Sequence, residues 1–143
     1  MRLRIAAPVI LLGWLVVFAN AAGKSGRIEI WADRSGDDMI GEQVFAALKE
    51  KITASKKFEL VGQHTAEQHP GSVGVHIVSE SIREPAGKSG LRSAVSFALT
   101  FPARDHTELF VTSSVAVVGP EGVSDLADSI LAQVGKVAES FEQ

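Results

Sequence analysis

The chain has 143 residues, of which 45% are hydrophobic and 22% are charged, and it contains no cysteine. This length predicts one domain, and the hydrophobic share argues against a disordered chain. The formal net charge of −3 argues against a nucleic-acid-binding protein, because such proteins usually carry a basic surface. The absence of cysteine excludes disulfides, thiolate zinc sites and a cysteine nucleophile.

Residues 1–21 have the pattern of a secretory signal peptide. Arg2 and Arg4 precede an uncharged run over residues 5–19, and small residues stand at Ala19 and Ala21. We therefore expect cleavage after Ala21. The alternative is an uncleaved membrane anchor, although the run is shorter than the roughly 20 residues that a spanning helix needs.

Cleavage leaves residues 22–143, whose net charge is −5 because Arg2 and Arg4 are removed. We expect a flexible leader over residues 22–26 and a single domain over residues 27–143. An exported, acidic domain without cysteine is expected in a bacterial periplasm or in a secreted form, since small extracellular domains elsewhere more often carry disulfides. Membrane contact is expected only through the N-terminal segment, if that segment is retained.

The first half of the domain predicts a strand, a helix and a second strand. Residues 27–32 alternate between apolar and polar side chains, which is typical of a strand with one buried face. From Met39 to about Ala54 the apolar residues recur at helical spacing, and Ser35 with Asp38 resembles a capping box. Residues 58–61 form the second strand, expected to lie parallel to the first.

The second half predicts an antiparallel meander and a closing helix. Three alternating segments lie near residues 73–78, 91–101 and 107–118, and a helix follows Ser124. In the last strand, Leu109, Val111, Val115 and Val117 are expected on one face. The predicted fold is α+β, a two-layer sandwich with two helices on one face of a mixed five-stranded sheet, in the order β-α-β-β-β-β-α.

One segment resembles a known group of domains. The run Val-Phe-Ala-Ala-Leu-Lys-Glu-Lys-Ile at residues 44–52, followed by Phe-Glu-Leu-Val at residues 58–61, is similar to the helix-to-strand segment of the TolB N-terminal domain and of CsgG-like proteins. The resemblance implies a role in the bacterial envelope. It assigns no functional residue.

The sequence offers no anchor for an enzymatic function. The pentapeptide Ala-Gly-Lys-Ser-Gly occurs at residues 22–26 and 86–90, but neither copy has the upstream glycine of a phosphate-binding loop. The chain lacks the G-x-S-x-G motif, and the neighbouring Asp105 and His106 are poorly placed to orient each other as a catalytic pair. We expect no catalysis and no cofactor.

An interaction surface is the favoured function. If both helices cover one sheet face, the opposite face carries Trp31, His76, Phe110 and Thr112. An uncovered sheet face with aromatic residues is a signal for binding, and an exposed strand edge can accept a partner strand. The sequence therefore predicts an exported envelope accessory module that binds a protein partner or itself. The alternative for Trp31 is a place in the core.

A second hypothesis is a small-ligand or metal-ion site. Asp33, Asp37 and Asp38 follow the first strand, and ligands often bind at strand ends in α/β sheets. His64 and His69 offer imidazoles that suit zinc or copper. The alternative for the aspartates is a structural role, in which they cap the following helix and complement its dipole. The alternative for the two histidines is that they are solvated side chains in a polar loop.

Overall fold

The computed structural model describes residues 26–82, 91–103 and 107–141. The predicted signal peptide, residues 22–25 of the leader, the second pentapeptide and the Asp105–His106 pair lie outside the described residues. The elements in chain order are β1 (Ile28–Ser35), α1 (Met39–Ala54), β2 (Phe58–Leu60), α2 (Gln63–Glu67), β3 (Val73–Ser81), β4 (Ser93–Pro102), β5 (Glu108–Val118), a 3-10 turn (Pro120–Gly122) and α3 (Val123–Phe141).

The strands form one mixed sheet in the order β2-β1-β3-β4-β5. Strand β1 pairs in parallel with β2 and β3, whereas β3, β4 and β5 pair antiparallel. The predicted fold class, the parallel crossover and the meander are therefore confirmed. The short helix α2 is an addition, because the segment from His64 to Gly71 was predicted to be a polar loop.

Asp38 begins helix α1. Its Oδ1 accepts a hydrogen bond of 2.8 Å from the Gly41 N–H, which lacks a partner within the helix. The predicted capping box is wrong, because Ser35 still belongs to β1 and Asp38 is itself the cap. Burial would raise the pKa of the Asp38 carboxyl. The Ser79 and Ser93 hydroxyls and the Gly41 N–H favour the charged form, so the pKa lies below its ordinary value of 3.8.

A single core lies between the sheet and the two long helices. Residues four apart in each helix are buried, as amphipathic helices require, and they pack over the inward side chains of the three central strands. The helix residues are Ile40, Val44, Leu48 and Ile52 of α1 and Leu126, Ile130 and Val134 of α3. Each fully buried side chain of this size contributes about 1.5–3 kcal/mol relative to exposure, so this layer carries most of the stability.

The pairing of β4 with β5 contains an irregularity that changes which side chains face the helices. Leu99 pairs with Thr112, but Thr100 pairs with Phe110, so Val111 is an extra residue in β5. Such a bulge breaks the strict alternation of a strand. Beyond it, Val115 points away from the helices. The predicted common inner face of Leu109, Val111, Val115 and Val117 is therefore wrong.

Candidate functional site

The sheet surface opposite α1 and α3 is here called the open face, and the rows described below use four of the five strands, β1, β3, β4 and β5. The register places residues in rows across it, because directly paired residues project to the same side. One row contains Asp33, His76, Ala98 and Ser113, and the next contains Trp31, Gly74, Thr100 and Phe110. The strands thereby bring together polar and aromatic side chains that are far apart in sequence.

A polar cluster occupies the centre of the open face. His76 Nδ1 lies 3.0 Å from Asp33 Oδ1, and its Nε2 lies 2.7 Å from Glu108 Oε2. The Thr100 hydroxyl donates to Glu108 Oε2 at 2.8 Å and lies 3.0 Å from His76 Nε2. Each of the strands β1, β3, β4 and β5 contributes one side chain. We call these four residues the His76 cluster.

Thr100, His76 and Asp33 are linked by hydrogen bonds in the same order as the nucleophile, the base and the orienting acid of a catalytic triad. Glu108 Oε2, however, lies within hydrogen-bond distance of both His76 Nε2 and the Thr100 hydroxyl. It therefore competes with any reacting group at this position, and Thr100 is buried. The arrangement does not favour acyl transfer.

Trp31 lies beside the cluster. Its ring and the His76 ring are in an edge contact, with centroids 4.7 Å apart and planes at 85°. The Trp31 residue is only 4% exposed and does not belong to the core on the helix side. The structure thus places Trp31 on the predicted face but buries it, as the core alternative expected, so a partner would not contact it directly.

Exposed apolar side chains lie on the open face beside the last strand. Val78, Ser96 and Val115 form one row, and Glu80, Ala94 and Val117 form the next. Val115 is 70% exposed and Val117 is 61% exposed, whereas Val78 is 53% exposed. We call these three residues the valine patch. Sequence reasoning missed Val115 and Val117 because the bulge reverses their orientation.

Two further predicted surface residues lie on β5. Phe110 is 66% exposed and pairs with Thr100, so it is on the open face as predicted. Thr112 pairs with Leu99, whose side chain is in the core. The predicted place of Thr112 on the open face is therefore wrong, and the cause is the same bulge.

The three aspartates of the predicted ligand loop have different surroundings. Asp33 belongs to the His76 cluster, Asp37 is exposed, and Asp38 is the buried cap of α1. In the described part of the chain, no three side chains of His, Cys, Asp or Glu are arranged to hold a metal ion.

The two other predicted histidines do not share a site either. His64 is exposed on α2 and lies 3.2 Å from the Gln68 amide. His69 Nδ1 lies 2.6 Å from Oε2 of the buried Glu29. His69 thus satisfies a buried carboxylate of β1, which is a structural role that the sequence does not reveal.

A shallow depression lies on the other side of the sheet, between β2 and α3. Lys57 and Glu139 form an ion pair of 2.8 Å across it, and Phe58, Leu131 and Gly135 line it. The hydrogen bond and charge of Lys57 lower the pKa of the exposed Glu139 carboxyl. Lys136 also lines the depression, so its lining carries one lysine in addition to the Lys57–Glu139 pair.

None of the helices within the described ranges is long and apolar enough to span a bilayer. No family model matches the chain, and no curated protein matches it. The resemblance to TolB and CsgG-like domains stays a prediction.

Three solved structures to which the chain is similar are bacterial lipoproteins. A minor lipoprotein from Acinetobacter baumannii is 8% identical with a TM-score of 0.38, and covers 78% of this chain and 93% of its own. A lipoprotein from Neisseria meningitidis is 12% identical with a TM-score of 0.38, at 76% and 99% coverage. Rare lipoprotein B from Shewanella oneidensis is 13% identical with a TM-score of 0.41, at 80% and 99% coverage. These similarities assign the chain to no family.

Proposed function

We propose that this protein is a non-catalytic accessory module of the bacterial envelope that binds an extended segment of a partner protein along β5. The observation that carries the proposal is the valine patch. Three aliphatic side chains, one on β3 and two on β5, are more than half exposed on one sheet face, and clustered exposed apolar side chains are typical of binding surfaces.

The outer edge of β5 supports strand addition. Strand β5 has 11 residues, and among the described strands it pairs only with β4. After Glu108 it contains no charge and no proline, which are the features that usually protect an edge from pairing. Its outer backbone groups can therefore bind an extended partner segment, with the valine patch providing apolar contacts beside it.

The charges around the valine patch indicate what kind of segment would bind. Glu80 lies in the same row as Val117, and Glu108 lies near the other end of β5. A segment with apolar residues in its middle and Lys or Arg at its ends would complement both carboxylates. A second copy of this chain would instead add like charges, and the chain has a net charge of −3.

The proposed location rests on the N-terminal sequence. Residues 1–21 combine two arginines, an uncharged apolar run and a small-residue cleavage site, which is the pattern of exported proteins. Export through the inner membrane would bring the module to partners in the periplasm or at the envelope surface.

A photo-crosslinking residue placed at position 115 tests this function in cells. The matched control carries the same residue at Gln43, which is exposed on α1 and far from the open face in the fold. We expect a discrete adduct at position 115 that is absent at position 43. The partner is then purified, and its binding should weaken at least tenfold in a Val115→Lys, Val117→Lys double variant.

Two results would contradict the proposal. One is unchanged affinity of the identified partner for the folded double variant. The other is a concentration-dependent dimer in light scattering that the same double variant abolishes, which would assign the valine patch to self-association.

A further inference from the structure

The hydrogen atoms available in the His76 cluster do not satisfy all of its contacts. Asp33 can only accept, so the 3.0 Å contact with His76 Nδ1 places a hydrogen on that nitrogen. A neutral ring then has a lone pair at Nε2, which faces Glu108 Oε2 at 2.7 Å. The Thr100 hydroxyl has one hydrogen and can donate to only one of the two. Two of the three contacts among these atoms therefore bring lone pairs together.

Two changes would relieve this conflict, namely a second proton on the ring or a bound cation. A proton at Nε2 serves the contact with Glu108. A cation serves His76 Nε2, Glu108 Oε2 and Thr100 Oγ1 together, because their mutual distances are 2.7, 2.8 and 3.0 Å. These three atoms form a closed triangle, so a single cation can contact all three of them.

The size of the triangle fits a metal ion. Ligands bonded at about 2.1 Å and at right angles are about 3.0 Å apart. The three edges therefore need to widen by only about 0.3 Å at most, which side-chain rotations allow. Right-angled sites with nitrogen and oxygen ligands suit divalent first-row transition metals such as Ni²⁺ and Cu²⁺, and imidazole also suits Zn²⁺.

We propose that His76, Glu108 and Thr100 form a binding site for a divalent first-row transition metal on the open face. His76 supplies Nε2, Glu108 supplies a carboxylate oxygen, and the Thr100 hydroxyl supplies a weaker third ligand. His76 and Glu108 are side chains of the usual ligand types, whereas Thr100 is not. Three protein ligands leave coordination positions open, and water fills them.

Asp33 has the position of an orienting residue. Its Oδ1 accepts a hydrogen bond from His76 Nδ1, the ring nitrogen that does not bind the metal. Many metal-binding histidines donate their other ring N–H to a carboxylate in this way. This contact fixes the tautomer with the lone pair at Nε2. The side chains of His76 and Glu108 are partly exposed, with 24% and 33% accessible, so a metal ion can reach them from solvent.

Trp31 provides a direct reporter, because its ring contacts the His76 ring and it is the only tryptophan after the predicted cleavage site. Cu²⁺ added to the purified protein at neutral pH should quench its fluorescence with saturation, and calorimetry with Ni²⁺ should give a stoichiometry of one. His76→Gln and Glu108→Gln should each abolish saturable binding. Asp33→Asn should weaken it about 10–100-fold. The matched control, His64→Gln, should leave it unchanged.

Quenching that persists in His76→Gln, or no saturable binding to the wild-type protein, overturns the site. A second measurement uses the wild-type protein, so that its result does not depend on whether a variant folds. In the side-chain nitrogen spectrum, Zn²⁺ should shift Nε2 of His76, while His64 and His69 stay unchanged. A shift confined to another histidine overturns the proposal.

Discussion

Trp31 lies flat against Gly74 on the neighbouring strand. The two residues are directly paired, and a Cβ atom at position 74 would lie 2.9 Å from both Cε2 and Cζ2 of the indole and would also collide with the Thr100 hydroxyl. The glycine is therefore needed for close approach rather than for its backbone angles. The buried indole occupies the space that a side chain at position 74 would fill.

Gly74→Ala should destabilise the protein by about 1–3 kcal/mol, because overpacking forces neighbouring side chains to move. It should also shift the emission of Trp31, since the indole must leave its place. Urea unfolding followed by fluorescence measures both effects. Gly62→Ala is the control, because no atom lies within 4 Å of a Cβ there, and it should cost clearly less. Equal costs for the two variants would disprove the packing of Trp31 on Gly74.

The orientation of β5 beyond the bulge predicts a much smaller effect on stability for Val115 than for Val95 of β4. Val95 is fully buried in the core, whereas Val115 is 70% exposed. Val95→Ala should cost about 2 kcal/mol, because it leaves a cavity. Val115→Ala should change the free energy of unfolding by less than about 0.5 kcal/mol. Thermal or urea unfolding of both variants gives the comparison, and a large cost at position 115 would show that this side chain faces the core.

His69 and His64 should differ in their contribution to stability. His69→Ala removes the partner of the buried Glu29 carboxylate, and an unsatisfied buried polar group costs about 1–3 kcal/mol. His64→Ala affects a side chain that is 86% exposed, so its effect should stay within about 0.5 kcal/mol. The two variants are compared by urea unfolding at neutral pH. Equal stability would contradict the role assigned to His69.

The Asp38 cap predicts a pH dependence with a defined sign. Its pKa is lowered in the folded protein, so the ionised cap stabilises the fold at pH values above the ordinary pKa of 3.8. This stabilisation is lost as the pH falls through the lowered pKa, because the protonated carboxyl is a weaker acceptor. Asp38→Ala should cost about 0.5–2 kcal/mol at pH 7.

The difference in unfolding free energy between Asp38→Ala and the wild type should be constant from pH 5 to pH 7, a window above that ordinary pKa, and should shrink toward pH 3. Urea unfolding over this range measures it. Glu42→Gln is a matched control in the same first helical turn, since Glu42 is exposed. A difference that grows toward acid pH would mean that the folded carboxyl has a raised pKa.

Local patterns were sufficient to predict the fold. The four-residue spacing of Ile40, Val44, Leu48 and Ile52 predicts α1 because only one helix face can reach the sheet. Short polar connections between β3, β4 and β5 predict a meander, and a strand–helix–strand order predicts parallel pairing. Helix α2 was missed because its five residues lack an amphipathic repeat and begin without a side-chain cap.

The open face shows where local patterns stop being informative. The sequence by itself determined the five strands, the two long helices and their order, because these depend on periodicity. Export stays a prediction from the composition of residues 1–21. Only the tertiary structure decided the faces of Val115 and Thr112, since a bulge depends on pairing with β4. Only the register could bring Asp33, His76, Thr100 and Glu108 together. Their contacts join residues up to 43 positions apart in the chain and leave no periodic signal in the sequence.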